Sequence, residues 1–131
     1  MGAAGQAVSQ AVESLSFDLS DFYVAKVREY LREAKQRVSL RDFYSAGLFY
    51  QRAARAALLA KKGAAEYEAR ALACFEKAVQ RNLKTEDYSQ AADALERLAK
   101  IYEQKGESQL AADLRLQASY IRLKGIETMI G

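Results

Sequence analysis

Arg28, Arg32 and Lys35 recur four and three residues apart, the spacing that brings side chains to one face of a helix. Lys26, Arg37 and Arg41 lie close by. A basic stripe of this kind can track a run of phosphates or receive an acidic peptide, because several fixed positive charges meet several negative ones at once. Left without a ligand it is a solvated helix face, partly neutralised by Glu29 and Glu33. The eight tyrosines and five phenylalanines divide in a similar way. Tyr30, Tyr50, Phe75 and Tyr102 fall on apolar stripes and are expected in the core, whereas Tyr23, Tyr44, Tyr67 and Tyr120 could line a groove and anchor a partner.

The residues that would support catalysis or metal binding are sparse. Glu29 with Glu33 and Glu103 with Glu107 have helical spacing, but carboxylate metal bundles normally add Glu-x-x-His, and the chain has no histidine. The commonest general base and the commonest transition-metal ligand are missing with it. Cys74 is the single cysteine, so neither an internal disulfide nor a cysteine-based metal site can form, and a core position is expected for it. No glycine-rich phosphate loop or nucleophile elbow occurs. The expectation is a chain that is not an enzyme, with no catalytic residues, no metal and no cofactor.

The 131 residues are half hydrophobic and 28% charged, a globular composition of one-domain size. The net charge of +3 is unevenly spread: residues 1–20 carry −2, residues 21–62 carry +6 and the remainder −1. The basic excess therefore surrounds the Arg28 stripe. No apolar run approaches the roughly 18 residues needed to cross a bilayer, and no signal peptide is evident, so a cytoplasmic protein without membrane contact is expected. The absence of proline allows long helices with few interruptions.

The elements that must position these residues are all helical. Residues 21–38 place Tyr23, Val27, Tyr30, Leu31, Ala34 and Val38 on one face, with Ser20 as the expected N-cap. Further helices are expected over about residues 42–62, 64–82, 86–105 and 108–123, with Gly63 and Gly106 supplying left-handed C-terminal residues. Short links imply antiparallel hairpins. Residues 1–19 form a separate short segment in which Ala7, Val8, Ala11, Val12 and Leu15 are amphipathic; it is expected to dock on the bundle as a sixth helix, pair with another subunit or stay mobile. Residues 20–131 make up the single helical domain. Beyond Gly125, Ile126, Met129 and Ile130 form an apolar tail suited to self-association.

The second and fourth helices open alike, as Asp42-Phe43-Tyr44-Ser45 and Asp87-Tyr88-Ser89, and close alike, as Lys62-Gly63 and Lys105-Gly106. The period of about 43 residues belongs to stacked helical-hairpin arrays. Leu95, Leu98, Ala99, Tyr102, Gly106, Ala111 and Ala118 resemble the tetratricopeptide pattern, and Ala71, Phe75 and Ala78 resemble the second helix of a preceding repeat. The family's terminal proline is absent and the spacing is longer, which is also similar to the SNAP vesicle-fusion adaptors. Together these likenesses cover about residues 42–124. Weaker resemblances connect Asp42 to Ala46 and Tyr50 to the microtubule-interacting and transport domain, and the same opening with Ala53, Ala54 and Leu58 to non-catalytic HEPN domains.

The tetratricopeptide-like resemblance implies an all-α stack of antiparallel hairpins, five or six helices in a right-handed array or bundle, working as a protein-binding scaffold. The partner would be another protein or peptide of acidic character, received in a helical groove or on the basic face of the first main helix. The alternative is a nucleic-acid-binding or accessory subunit of an RNA-handling complex, favoured by the +6 segment alone.

Overall fold

A computed structural model describes the backbone of residues 2–130, and the side chains from residue 19 to residue 130. Five helices make up an all-helical bundle: α1 (Gly2–Ser39), α2 (Phe43–Leu59), α3 (Ala65–Lys84), α4 (Tyr88–Gln104) and α5 (Ser108–Ile130). Their main packing is sequential, α1 on α2, α2 on α3, α3 on α4 and α4 on α5. Each helix thus buries its apolar face against its neighbours in the chain, and the middle helices must be apolar on two sides. No described helix is long and apolar enough to cross a membrane.

The turns explain how neighbours fold back so closely. After α1, the Arg41 amide donates to the Val38 carbonyl and the Asp42 amide to that of Arg37, at 2.9 Å each. This is the Schellman pattern, in which a left-handed residue lets the chain satisfy the last carbonyls of the helix it leaves. The same pair of bonds recurs at Lys61 and Lys62, at Glu86 and Asp87, and at Gly106 and Glu107. The left-handed position is held by Arg41 (φ 59°), Lys61 (φ 59°), Glu86 (φ 60°) and Gly106 (φ 83°). Three of the four therefore carry a Cβ where it costs about 1 kcal/mol or more.

This corrects one sequence expectation and extends another. Gly63 is not the left-handed residue after α2. That helix ends at Leu59, so the turn bonds form around Lys61, and Gly63 lies beyond them in open space. The matched helix openings are matched in geometry as well. Asp42 (φ −89°, ψ 74°) caps α2 by accepting from the Ser45 amide at 3.2 Å, and Asp87 (φ −85°, ψ 75°) caps α4 by accepting from the Gln90 amide at 3.1 Å. Each aspartate is at once the end of one turn and the start of the next helix.

Both terminal helices are longer than their expected spans. Ser20 does not cap α1, which runs through it without a break; its hydroxyl instead donates to the Ala60 carbonyl at 3.4 Å, tying α1 to the end of α2. No glycine or proline lies between Gly5 and Gly47 to stop the helix, and serine is tolerated inside one. The helix therefore runs on both sides of Ser20. The expected docking of Ala7 to Leu15 concerns side chains outside the described residues. At the other end α5 continues through Gly125 to Ile130. A Cβ on Gly125 would approach the Tyr88 Cβ to 3.0 Å, so glycine permits the first turn of α4 to lie close against α5.

The core is built largely from alanine. Ala34, Ala46, Ala71, Ala92 and Ala118 are buried from α1 to α5, which lets backbones approach closely, with Tyr50, Leu95 and Leu98 filling between them. Phe75 is the largest fully buried side chain. Its ring occupies the space above Gly47, where an added Cβ would lie only 2.6 Å from it, and Tyr44 meets its edge at 5.8 Å between ring centres. Cys74 is buried beside it, and that burial pushes its thiol up from the ordinary range.

Candidate functional site

Arg28, Arg32 and Lys35 are all exposed on α1. At about 100° and 1.5 Å per residue they share an arc of about 60° and span about 10 Å. None of the three forms an ion pair among the described residues, whereas Lys26, Arg37, Arg70, Arg115 and Arg122 each do. The expected neutralisation by Glu29 and Glu33 does not occur through direct pairing. Glu29 is held by Lys26 at 3.2 Å one turn earlier, and both glutamates lie on the adjoining face, which turns away from the stripe. The result is an undivided cationic strip.

Of the four candidate tyrosines, Tyr120 is exposed on α5, whereas Tyr23, Tyr44 and Tyr67 are half-buried in different surroundings. Tyr23 stands beside Phe22 in an edge-on contact at 5.4 Å. Tyr44 packs on the main core through Phe75. Tyr67 packs with Val27 on a second, smaller cluster made by Ala54, Ala57 and Ala64. Tyr44 and Tyr67 therefore serve two separate packing centres, and much of each ring is committed to holding helices together.

Two further features lie away from the basic strip and those half-buried tyrosines. On the flank of α1 away from the basic strip, the Phe49 ring of α2 lies between the guanidinium groups of Arg52, 5.1 Å from the ring centre, and Arg37, 5.7 Å from it. Tyr30 adds a tilted ring at 6.4 Å, and Arg37 is also within 3.7 Å of the Asp42 carboxylate. The arrangement joins α1 to α2 and lies at positions distant in the chain, so no local spacing announces it. The other feature is on α5, where Leu116, Tyr120 and Leu123 are exposed in addition to the apolar tail. Beside them an open depression of about 620 Å³ is lined by Leu83, Tyr88, Leu116, Tyr120, Ile121 and Lys124.

Four titratable groups among the described residues have clearly altered environments. The Arg122 guanidinium is pushed up, first by its hydrogen bond to Glu96, and it also reaches Asp93 at 2.9 Å, clamping α5 to α4. Arg70 is pushed up by Tyr50 and then by Glu66. Tyr102 is pushed up by burial and then by Glu76 and Glu107. Every one of these shifts, with that of Cys74, moves a group further from neutral pH. Among the described residues no three histidine, cysteine, aspartate or glutamate side chains converge as a metal site would require. A scan against protein-family models, a search of curated proteins and a search of solved structures each found no match to this chain.

Proposed function

We propose that this chain is a non-enzymatic scaffold, a tetratricopeptide-like stack of helical hairpins that binds another protein by receiving an acidic segment on the Arg28, Arg32 and Lys35 face of α1. The observation that carries this reading is the exposed, unpaired cationic strip on a helix of a segment with a charge of +6. One exposed ion pair contributes about 0.2–1 kcal/mol, so recognition here depends on several carboxylates engaging the strip together. Added salt weakens such binding, because the charges are solvent-exposed. Sequential packing and the equivalent Asp42 and Asp87 caps, 45 positions apart, support the hairpin-array part of the reading.

The test is affinity capture from the native lysate with the wild-type chain and with an Arg28→Glu, Arg32→Glu, Lys35→Glu variant, each with and without nuclease. A protein retained by the wild type after nuclease, and lost by the charge-reversed variant at unchanged helicity, supports the scaffold reading. Identical recovery from both chains removes the α1 face from the account. Recovery abolished by nuclease would replace it with the nucleic-acid alternative.

A further inference from the structure

We propose that Ser39 is a phosphorylation site, at which a protein kinase switches off the cationic face of α1. The inference rests on the reading of that face as a receptor for carboxylates and adds its regulation. It begins with register. Ser39 follows Lys35 by four residues, Arg32 by seven and Arg28 by eleven. At about 100° per residue, Ser39 projects within the arc of about 60° that the three cations occupy. The same arc therefore carries four side chains, of which the last is a neutral hydroxyl.

The surroundings of Ser39 suit the approach of a kinase. It is exposed, and it is the final residue of α1. Its hydroxyl donates to the Gln36 carbonyl at 2.7 Å, but the Leu40 amide also donates to that carbonyl at 3.1 Å, so giving up the hydroxyl bond leaves no orphaned group. This end of the helix opens at low cost, because Leu40 is 67% exposed and Arg41 holds the strained left-handed position (φ 59°). Lys35 and Arg37 precede the serine and Arg41 follows it, with no carboxylate from residue 34 to residue 41. Such a segment complements a kinase whose substrate cleft is acidic. Thr85 provides a contrast. It too ends a helix after basic residues, Arg81 and Lys84, but Glu86 and Asp87 follow it directly.

The chemistry is a phosphoryl transfer. Ser39 Oγ forms a bond to the terminal phosphorus of a nucleoside triphosphate as the bond from that phosphorus to the departing nucleoside diphosphate breaks, and the hydroxyl proton passes to the kinase's catalytic carboxylate. The product adds about 1.5 to 2 negative charges at neutral pH, one helical turn from Lys35. The three positive charges of the strip are thereby reduced to a net charge of about +1, and an incoming carboxylate meets a like charge at the end of the strip. At a helix C-terminus the phosphate also opposes the macrodipole and loosens the last turn.

The test uses the full chain, with a short polyglutamate peptide as the probe at low salt. Treatment with ATP and a kinase selective for basic sequences is expected to place phosphate at Ser39 rather than Thr85, as located by mass spectrometry. It should weaken peptide binding at least about fivefold at unchanged overall helicity. Ser39→Glu should give part of that loss, and Ser39→Ala none, with or without the kinase. Thr85→Glu, which adds a negative charge elsewhere, should bind like the wild type. Protein isolated from its native cells under phosphatase inhibition should carry phosphate at Ser39. Binding unchanged by phosphate on Ser39, an equal loss in Thr85→Glu, or native protein without the modification would overturn the proposal while leaving the receptor reading intact. A wild-type chain that does not bind the peptide would remove the receptor reading itself, and the regulation with it.

Discussion

Two apolar regions of this molecule are treated in opposite ways by the fold. At the seam between α2 and α3, the Phe75 ring is wholly buried over Gly47, with no room for even one more carbon. On the outer side of α5, side chains of comparable hydrophobicity stand in solvent. The seam holds the bundle together and should respond sharply to any change in volume. The exposed apolar side chains of α5 contribute little to the fold of the described residues, because nothing there packs against them. The same contrast separates a residue's hydrophobicity from its role, since only packing partners convert apolar surface into stability.

The contrast can be sharpened by substitution, beginning at the seam. Phe75→Ala should destabilise the chain by about 3–5 kcal/mol, measured by chemical denaturation, because it removes the largest fully buried side chain. Gly47→Ala should cost about 1–3 kcal/mol through overpacking against the ring. In the Phe75→Ala background the same change should reverse sign and stabilise by up to about 1 kcal/mol, since alanine is the better helix former once the ring is gone. Additive effects of the two substitutions would mean that the ring and Gly47 are not in contact.

The turns should show an intermediate response. Arg41→Gly, Lys61→Gly and Glu86→Gly should each stabilise by about 1 kcal/mol in the same denaturation assay, by relieving a Cβ in the left-handed region. Gly106→Ala should destabilise by a similar amount, whereas Gly63→Ala should not, because Gly63 lies outside the turn bonds. A cost at Gly63 equal to that at Gly106 would contradict the assignment of Lys61 as the turn residue.

A smaller effect is expected from pH. Cys74 and Tyr102 are both pushed up in the folded chain, so their contribution is fully present below the ordinary thiol and phenol ranges. It is lost as pH rises from about 8.5, where the unfolded chain begins to release these protons and the folded chain does not. Denaturation midpoints should therefore fall on the alkaline side, less steeply in Cys74→Ala. Equal slopes in the two chains would remove the thiol from the explanation. The smallest effect belongs to the exposed side of α5: Leu116→Ser, measured in dilute solution, should change stability by no more than about 0.5 kcal/mol. A loss approaching that of Phe75→Ala would show that this side serves the fold after all.

What the sequence disclosed follows from the range of the forces involved. The all-helical class, the expected burial of Tyr50, Phe75 and Cys74, and the openings at Asp42 and Asp87 were all legible, because they depend on residues three or four apart. The left-handed Arg41, Lys61 and Glu86 were not, since a turn that tolerates any residue at a small cost leaves no glycine to mark it. Ser20 was misleading because its side chain can cap a helix or sit inside one. The Gly47 and Phe75 contact, and the Phe49 ring between Arg37 and Arg52, depend on how helices meet and have no local signature. For the candidate site, the Arg28, Arg32 and Lys35 stripe and its exposure were readable from spacing, but its lack of ion-pair partners was not. The separation of Tyr44 and Tyr67 into two clusters was equally hidden.

The most direct measurement is a binding titration of the nuclease-resistant protein captured by the wild type, against three chains: wild type, the Arg28→Glu, Arg32→Glu, Lys35→Glu variant, and Leu123→Glu. The account predicts that the α1 variant loses at least about tenfold in affinity, as the loss of several weak ion pairs implies, and that Leu123→Glu, on the exposed side of α5, retains wild-type affinity. Undiminished binding by the α1 variant would contradict the proposal that this face receives the partner.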